Sequence, residues 1–405
     1  MARIAIIDLL FNWPPDGGAR TDIQHVARGL SQKHNVVLFC PDFRFGFPRG
    51  RIGRDPGIAV RKIPLKDYEF QPLTLTRRLR SAVDEFSPDY VFIADGWYFK
   101  PYVVVAMEGY NRILRFYAHE SLCPKSHGHF IDSKMRPCQR NWLNEWRDFI
   151  PCVLCASRWL HENPESTHFS IPFVRALAFL PHYPHLVRRA ISSVDTIVCY
   201  NEFIKSKLSP MNQNIHIIPS GVDASHFSPS PPAPRKGPRK VLICGRKSDP
   251  LKGYDILFKA FIPLVQAGMD IELFVTESPA RREAFINYTG WLDQGGLANL
   301  YKQVDICVVP SVWPEPFGIV ALEAMASEKP VIVTRVGGLQ HIVDDGVDGF
   351  VVEPFDSRGL RQKLRILIEN PDLCESMGKA GRAKVLEKYQ WDTIVQDYYE
   401  PIFST

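Results

Sequence analysis

Five prolines fall within the eleven residues Ser228–Pro238 (Ser-Pro-Ser-Pro-Pro-Ala-Pro-Arg-Lys-Gly-Pro), and this stretch limits the architecture more than any other. Proline cannot donate to a sheet ladder or continue a helix, so the segment is predicted to run as an extended linker. On each side of it, apolar runs alternate with helical spacing. Before it come strand candidates Ile4–Leu9, Val36–Cys40, Tyr90–Ala94, Ile113–Ala118, Thr196–Tyr200 and Ile215–Ile218, with a helix over Asp22–Leu30. After it come strands Lys240–Cys244, Ile271–Val275, Ile306–Val309 and Val331–Thr334, interleaved with helices Tyr254–Ala267, Leu297–Gln303 and Ile319–Ser327. Short continuous apolar runs suit strands buried on both faces of a parallel sheet. At 405 residues the chain also exceeds the size at which one core keeps growing. The expected fold is α/β, with two doubly wound domains facing across a cleft, where such sheets bind ligands at the carboxyl ends of their strands.

The boundaries expected are 1–226 for the first domain, 227–239 for the linker, 240–387 for the second, and 388–405 for an aromatic-rich helix packing back on the first domain. With 45% hydrophobic and 23% charged residues the chain has an ordinary globular composition. No apolar run approaches the roughly 20 residues that span a bilayer. The start, Met1-Ala2-Arg3-Ile4, enters a strand directly without the form of a cleavable signal peptide, so a cytoplasmic protein is expected. Charge is uneven: Pro41–Arg80 holds ten Lys/Arg against four acids, a local +6 that exceeds the whole-chain +5. It reads either as a solvated surface or as a face drawn to anionic membrane or a phosphorylated substrate. It matches poorly the pattern of a basic nucleic-acid surface with interleaved aromatics, so no nucleic-acid partner is expected.

The most specific segment runs from Trp313 to Ala326: Trp-Pro-Glu-Pro-Phe-Gly-Ile-Val-Ala-Leu-Glu-Ala-Met-Ala. Pro314 and Pro316 keep the chain irregular until Phe317 and Gly318, where a helix begins. Free N–H groups at Gly318, Ile319 and Val320 would favour a phosphate at that mouth. Glu315 before the mouth and Glu323 within the helix bracket this anion site, and carboxylates there must recognise hydroxyls, as on a sugar ring and a ribose. Helix-start and surface acids are the plainer alternative. The whole segment resembles the E-x7-E motif of retaining glycosyltransferases of family 4, whose two-domain fold is called GT-B.

That resemblance implies roles for other segments in the same order. Gly245-Arg246-Lys247-Ser248-Asp249-Pro250-Leu251-Lys252-Gly253 is similar to the family turn whose Arg and Lys, here Arg246 and Lys252, hold the donor diphosphate. Two cations on one pyrophosphate would also stabilise the charge growing on the leaving group, so no metal is required for catalysis. Gly17-Gly18 resembles the family's first-loop glycines beside the phosphates, and Gly337-Gly338 the pair near the donor sugar. His119, after strand Ile113–Ala118, resembles the family histidine that contacts the sugar near its reacting carbon. Ile218-Pro-Ser-Gly-Val-Asp223 is similar to N-G-V-D with Ser220 in place of Asn. The partners implied are a nucleoside diphosphate sugar and a hydroxyl acceptor, with peripheral contact at the inner membrane face as a further reading. A sugar-nucleotide 2-epimerase and a non-catalytic binding subunit are the rival readings.

Of nine cysteines, five (Cys40, Cys199, Cys244, Cys307, Cys374) lie in or beside expected strands and helices and suit small buried hydrophobes. Cys123, Cys138, Cys152 and Cys155 are grouped in an insert at about 121–186 that follows His119, and a subset of family 4 carries a similar Cys-bearing insert. Their spacing is open to structural zinc, reduced thiols or, least, a disulfide.

Overall fold

A computed structural model describes the chain except for residues 16, 44–48, 126–128, 133, 163–166, 230–236, 246–248, 279–283 and 404–405. Arg246, Lys247, Ser248 and most of the proline-rich linker therefore lie outside the described residues. Two compact units are present: Met1–Pro219 with Val395–Thr405, and Ser220–Ile394.

The first unit contains β1 (Arg3–Ile7), α1 (Gly18–Leu30), β2 (Asn35–Asp42), β3 (Ala59–Pro64), α2 (Pro72–Phe86), β4 (Tyr90–Ile93) and α3 (Lys100–Ala106). It continues through β5 (Asn111–Arg115), α4 (Trp146–Glu162), α5 (Thr167–Arg175), α6 (His182–Ser193), β6 (Thr196–Cys199), α7 (Glu202–Leu208) and β7 (Ile215–Ile217). Its seven strands lie in the order β3-β2-β1-β4-β5-β6-β7. Every pairing is parallel, with Ile4 opposite both Val36 and Tyr90 at the centre. Both faces of the central strands are covered, which is why Ile4–Ile7 and Val91–Ile93 read as unbroken apolar runs. Each fully buried Ile, Leu or Phe there contributes about 1.5–3 kcal/mol.

The C-terminal residues complete this unit. From Val395 onward they run helically through Tyr399 and on through Glu400–Phe403. Phe403 packs edge-on to Tyr90 at 5.3 Å, Tyr399 lies 6.1 Å from Phe92, and Glu400 meets His34 Nε2 at 3.2 Å. Beneath them Arg115, wholly buried, sits 3.9 Å from Asp22 and 3.9 Å over the Tyr200 ring. A buried guanidinium needs such partners to offset its lost hydration.

The second unit holds β8 (Arg239–Ile243), α8 (Tyr254–Gln266), β9 (Ile271–Val275), β10 (Ile286–Tyr288), α9 (Gln294–Gln303), β11 (Ile306–Val309) and α10 (Ile319–Ala326). It ends with β12 (Val331–Thr334), α11 (Leu339–Ile342), β13 (Gly349–Val352), α12 (Ser357–Glu369) and α13 (Pro371–Lys388). Its parallel sheet runs β10-β9-β8-β11-β12-β13, the Rossmann order in which direction of winding reverses between β8 and β11. Helix starts follow local chemistry: Asp293 accepts from Gly296 N, and Asp356 from Arg358 N and Gly359 N. Leu257 and Phe261 of α8 and Leu360 and Leu364 of α12 close over Val241, Leu273 and Ile306 of the sheet.

Strands β9, β11 and β12 start and end as expected. Strands β3, β10 and β13 were not expected; the apolar run of Ala59–Pro64 is interrupted by Arg61 and Lys62, and the other two are only three and four residues long. The strand expected over Ile113–Ala118 ends at Arg115, so His119 stands four residues beyond the strand rather than directly after it.

Candidate active site

Winding reverses between β8 and β11, so the loops leaving these two strands start side by side at the sheet's carboxyl edge, where sheets of this order bind ligands. They also touch. Val312 N donates to Leu251 O at 2.9 Å. Gly253 has φ +72°, and a Cβ there would lie 1.8 Å from Pro310 O, so only glycine lets the loops meet. That contact brings Lys252, at the end of the one-turn helix Pro250–Lys252, beside Glu315 from a loop sixty-three residues later.

Lys252 Nζ lies 3.1 Å from both Oε1 and Oε2 of Glu315. Oε2 also accepts from Ser311 Oγ at 2.9 Å and Trp313 Nε1 at 2.8 Å, and Lys252 Nζ stands 5.7 Å over the Trp313 ring. Two neutral donors thus hold the carboxylate independently of the lysine. The backbone is held too: Gly338 N donates to Glu315 O at 2.7 Å. Gly337, at φ +48°, would put a Cβ 2.0 Å from that same oxygen. The glycine pair therefore serves close approach to the Glu315 main chain. Just beyond, Gly318 caps α10; Gly318, Ile319 and Val320 are half-buried, and Phe317 is buried with its ring 6.3 Å from Tyr389. The first amides of α10 have no intrahelical acceptor and carry the positive end of the helix dipole.

Glu323 is buried on α10 and not a surface residue. Tyr301 OH lies 3.2 Å from its Oε2 and 3.2 Å from Val320 O, and 3.5 Å from Cys244 Sγ. Burial pushes the Glu323 carboxyl up to about 7, with the Tyr301 hydrogen bond pulling the other way. Sequence reasoning missed Ser311, Trp313 and Tyr301. The first two lie within four residues of Glu315, so a loop carboxylate wanting donors was a usable signal; Tyr301 reads as an ordinary helical aromatic.

The first unit holds the other expected residues. Gly17 is extended with open space where a Cβ would stand, and Gly18 begins α1. The preceding loop is pinned: Asp8 Oδ1 accepts Leu10 N at 2.7 Å, while Arg20 donates to Leu10 O at 3.2 Å and to Asp95 Oδ2 at 2.9 Å. His119 is fully buried, its ring within 5.3 Å of Phe130 and 5.4 Å of Phe203. Its neighbour Glu120 folds back to accept Tyr117 N and Ala118 N at 3.1 Å each and pairs with Lys100 at 3.4 Å, bracing this turn.

All nine cysteines are free. Cys138 N donates to Phe130 O at 2.7 Å, while the amides of Lys125 and Phe130 donate to Cys123. Burial raises the Cys123 thiol to about 11 and the Cys152 thiol to about 12. Among the described residues, no three His, Cys, Asp or Glu side chains stand together so as to hold a metal ion.

Known proteins match both units. The family described as glycosyl transferase 4-like domain matches residues 17–221, and that described as glycosyl transferases group 1 matches residues 228–384. A phosphatidyl-myo-inositol mannosyltransferase of Mycobacterium leprae is 31% identical over 203 residues, 46% of this chain and 54% of that protein. A glycogen synthase of Mycobacterium tuberculosis is 29% identical over 222 residues, 52% of this chain and 53% of the relative. The chain thus spans about half the length of the curated relatives it matches. Sucrose-phosphate synthase from Thermosynechococcus elongatus superposes over the whole of both chains with TM-score 0.68 at 17% identity. Anabaena HepE in complex with UDP-glucose does so with TM-score 0.67 at 16% identity. At that identity the likeness speaks for the fold, and the fold is GT-B.

Proposed function

Because this chain belongs to the glycosyl transferase 4-like family, we propose that it transfers a sugar from a nucleoside diphosphate sugar to an acceptor hydroxyl, with retention at the anomeric carbon. The observation that carries this reading is the Lys252–Glu315 contact at the crevice between the β8 and β11 loops, next to the open mouth of α10. A donor diphosphate at that mouth meets the amides of Gly318, Ile319 and Val320 and draws Lys252 toward itself; Arg246 joins it by the sequence resemblance. Glu315 stays oriented by Ser311 and Trp313 when the lysine turns, leaving Oε1 to accept a sugar hydroxyl. Glu323 takes the ribose hydroxyls. The sequence resemblance alone assigns His119 a role toward the donor sugar, and Gly17 and Gly18 a role toward its phosphates. UDP-glucose bound by HepE and mannosyl transfer by the mycobacterial relative agree with an activated hexose as donor class.

In this mechanism the bond from anomeric carbon to phosphate oxygen breaks as the acceptor oxygen bonds to the same face. The acceptor proton passes to the departing phosphate oxygen, so no enzyme-bound sugar intermediate is formed. Lys252, Arg246 and the α10 amides hold the charge that grows on the diphosphate, which makes a catalytic metal unnecessary. The test is a donor-by-acceptor screen read by mass spectrometry, followed by Lys252→Ala and Glu315→Ala in the active pair. Each substitution is expected to lower turnover at least about tenfold while circular dichroism is unchanged. Near-normal turnover in both would refute the site.

A further inference from the structure

Helix α4 is apolar on two sides. Cys152 and Ala156 are buried, as a core-facing stripe should be. Yet Trp146, Ile150 and Leu154, spaced i, i+4 and i+8, stand 84%, 66% and 63% exposed on another face. A helix at the surface of a soluble domain ordinarily turns polar residues outward. Exposed apolar surface continues on adjoining elements. Helix α5 packs against α4, with Val174 56% exposed, and its Arg175 donates to the carbonyls of Asp67 and Phe70 at 2.7 and 2.9 Å. That ties it to the turn carrying Tyr68, 67% exposed, and to Leu73 at the start of α2, 69% exposed.

The charge around these side chains is basic. The first unit carries 28 Lys/Arg against 22 Asp/Glu, whereas the second carries 21 against 22, so all of the chain's net positive charge lies in the first. Lys66 and Arg77 are exposed beside Tyr68 and Leu73, within the basic stretch that the reaction leaves unused. On α4, Arg147 and Arg158 flank the apolar stripe; their partners Glu145 and Glu162 form exposed pairs that hold little energy.

We propose that the outer face of α4, with Val174, Tyr68 and Leu73, docks the first unit onto an anionic lipid bilayer. Tryptophan and aliphatic side chains enter the boundary between headgroups and acyl chains, and lysines and arginines beside them meet lipid phosphates. Among the described residues no helix is long and apolar enough to cross a membrane, so the contact lies in the interface plane. A second copy of this chain fits the face less well, because two units of net charge +6 repel each other while an anionic surface attracts either. The inference extends the proposed function by bringing a membrane-borne acceptor hydroxyl within reach, but its test needs neither donor nor turnover.

The test is flotation of the full chain with vesicles of phosphatidylcholine alone and with equal parts of phosphatidylcholine and phosphatidylglycerol. The wild type is expected to float with the anionic vesicles and much less with the neutral ones. The triple variant Trp146→Ser/Ile150→Ser/Leu154→Ser is expected to bind at least about tenfold more weakly, and Lys66→Glu/Arg77→Glu to lose the anionic preference. Exposed positions tolerate such changes, and unchanged thermal unfolding verifies it. No flotation of the wild type, or flotation unaffected by the triple variant, would overturn the proposal. So would a lipid-free dimer that the triple variant converts to monomer, since a second copy would then cover this face.

Discussion

Replacing Glu323 by glutamine tests the donor site through a group whose titration the fold has moved. The carboxyl is raised from 4.5 to about 7 because burial strips it of water, against the smaller opposing pull of the Tyr301 hydrogen bond. The folded chain therefore holds a proton that the unfolded chain releases between those two values. Stability falls as pH rises through this window and levels off above it. A shift of about 2.5 units at 1.36 kcal/mol each makes the ionised form cost about 3 kcal/mol in the folded state. Glutamine keeps the size and an acceptor for Tyr301 but cannot ionise. The cost of burying its amide is the same at every pH, so the informative quantity is the difference between curves. Urea unfolding of wild type and Glu323→Gln at several pH values is expected to show the variant gaining about 2–3 kcal/mol relative to wild type between pH 5 and pH 8. Donor binding should follow the opposite course. In the proposed site the ionised carboxylate would accept the ribose hydroxyls, so wild-type affinity for the donor is expected to rise toward pH 8, and the variant's to stay low and flat. Parallel unfolding curves would show that Glu323 is solvated in the folded chain, and equal donor affinity would remove it from the site.

Tyr301→Phe deletes the hydroxyl that donates to Glu323, which should move the Glu323 carboxyl further up and raise the donor KM while kcat changes little; a fall in kcat alone would contradict a positioning role. Gly253→Ala places a methyl against Pro310 O in a left-handed conformation, and a loss of at least about 2 kcal/mol with parallel loss of activity is expected by thermal unfolding. Gly337→Ala should displace the Glu315 main chain and lower turnover more than stability, measured by the same two assays. Thiol titration in denaturant without reductant is expected to count nine free cysteines. One equivalent of zinc, lost on chelation together with stability, would instead assign a metal to Cys123, Cys138, Cys152 and Cys155.

The alternation of apolar runs and helical spacing on either side of Ser228–Pro238 was enough for two parallel α/β units, because strands buried on both faces must be continuously apolar and helices must present one stripe. The helix mouth at Gly318 was equally legible, since prolines, a glycine and a helix start are neighbours in the chain. Contacts between distant segments were not. Nothing local says that Lys252 touches Glu315: that follows from β8 lying beside β11, an adjacency set by strand order rather than by either segment. The same holds for Gly337, whose lack of a side chain is required by the Glu315 carbonyl. Burial was decided at the same level. From sequence Glu323 is a surface acid or a ribose ligand, and only burial in the folded unit raises its proton affinity; the exposure of Trp146, Ile150 and Leu154 is likewise decided only by the tertiary structure. Periodicity reports which residues share a face of an element, while what that face meets depends on the element's neighbours.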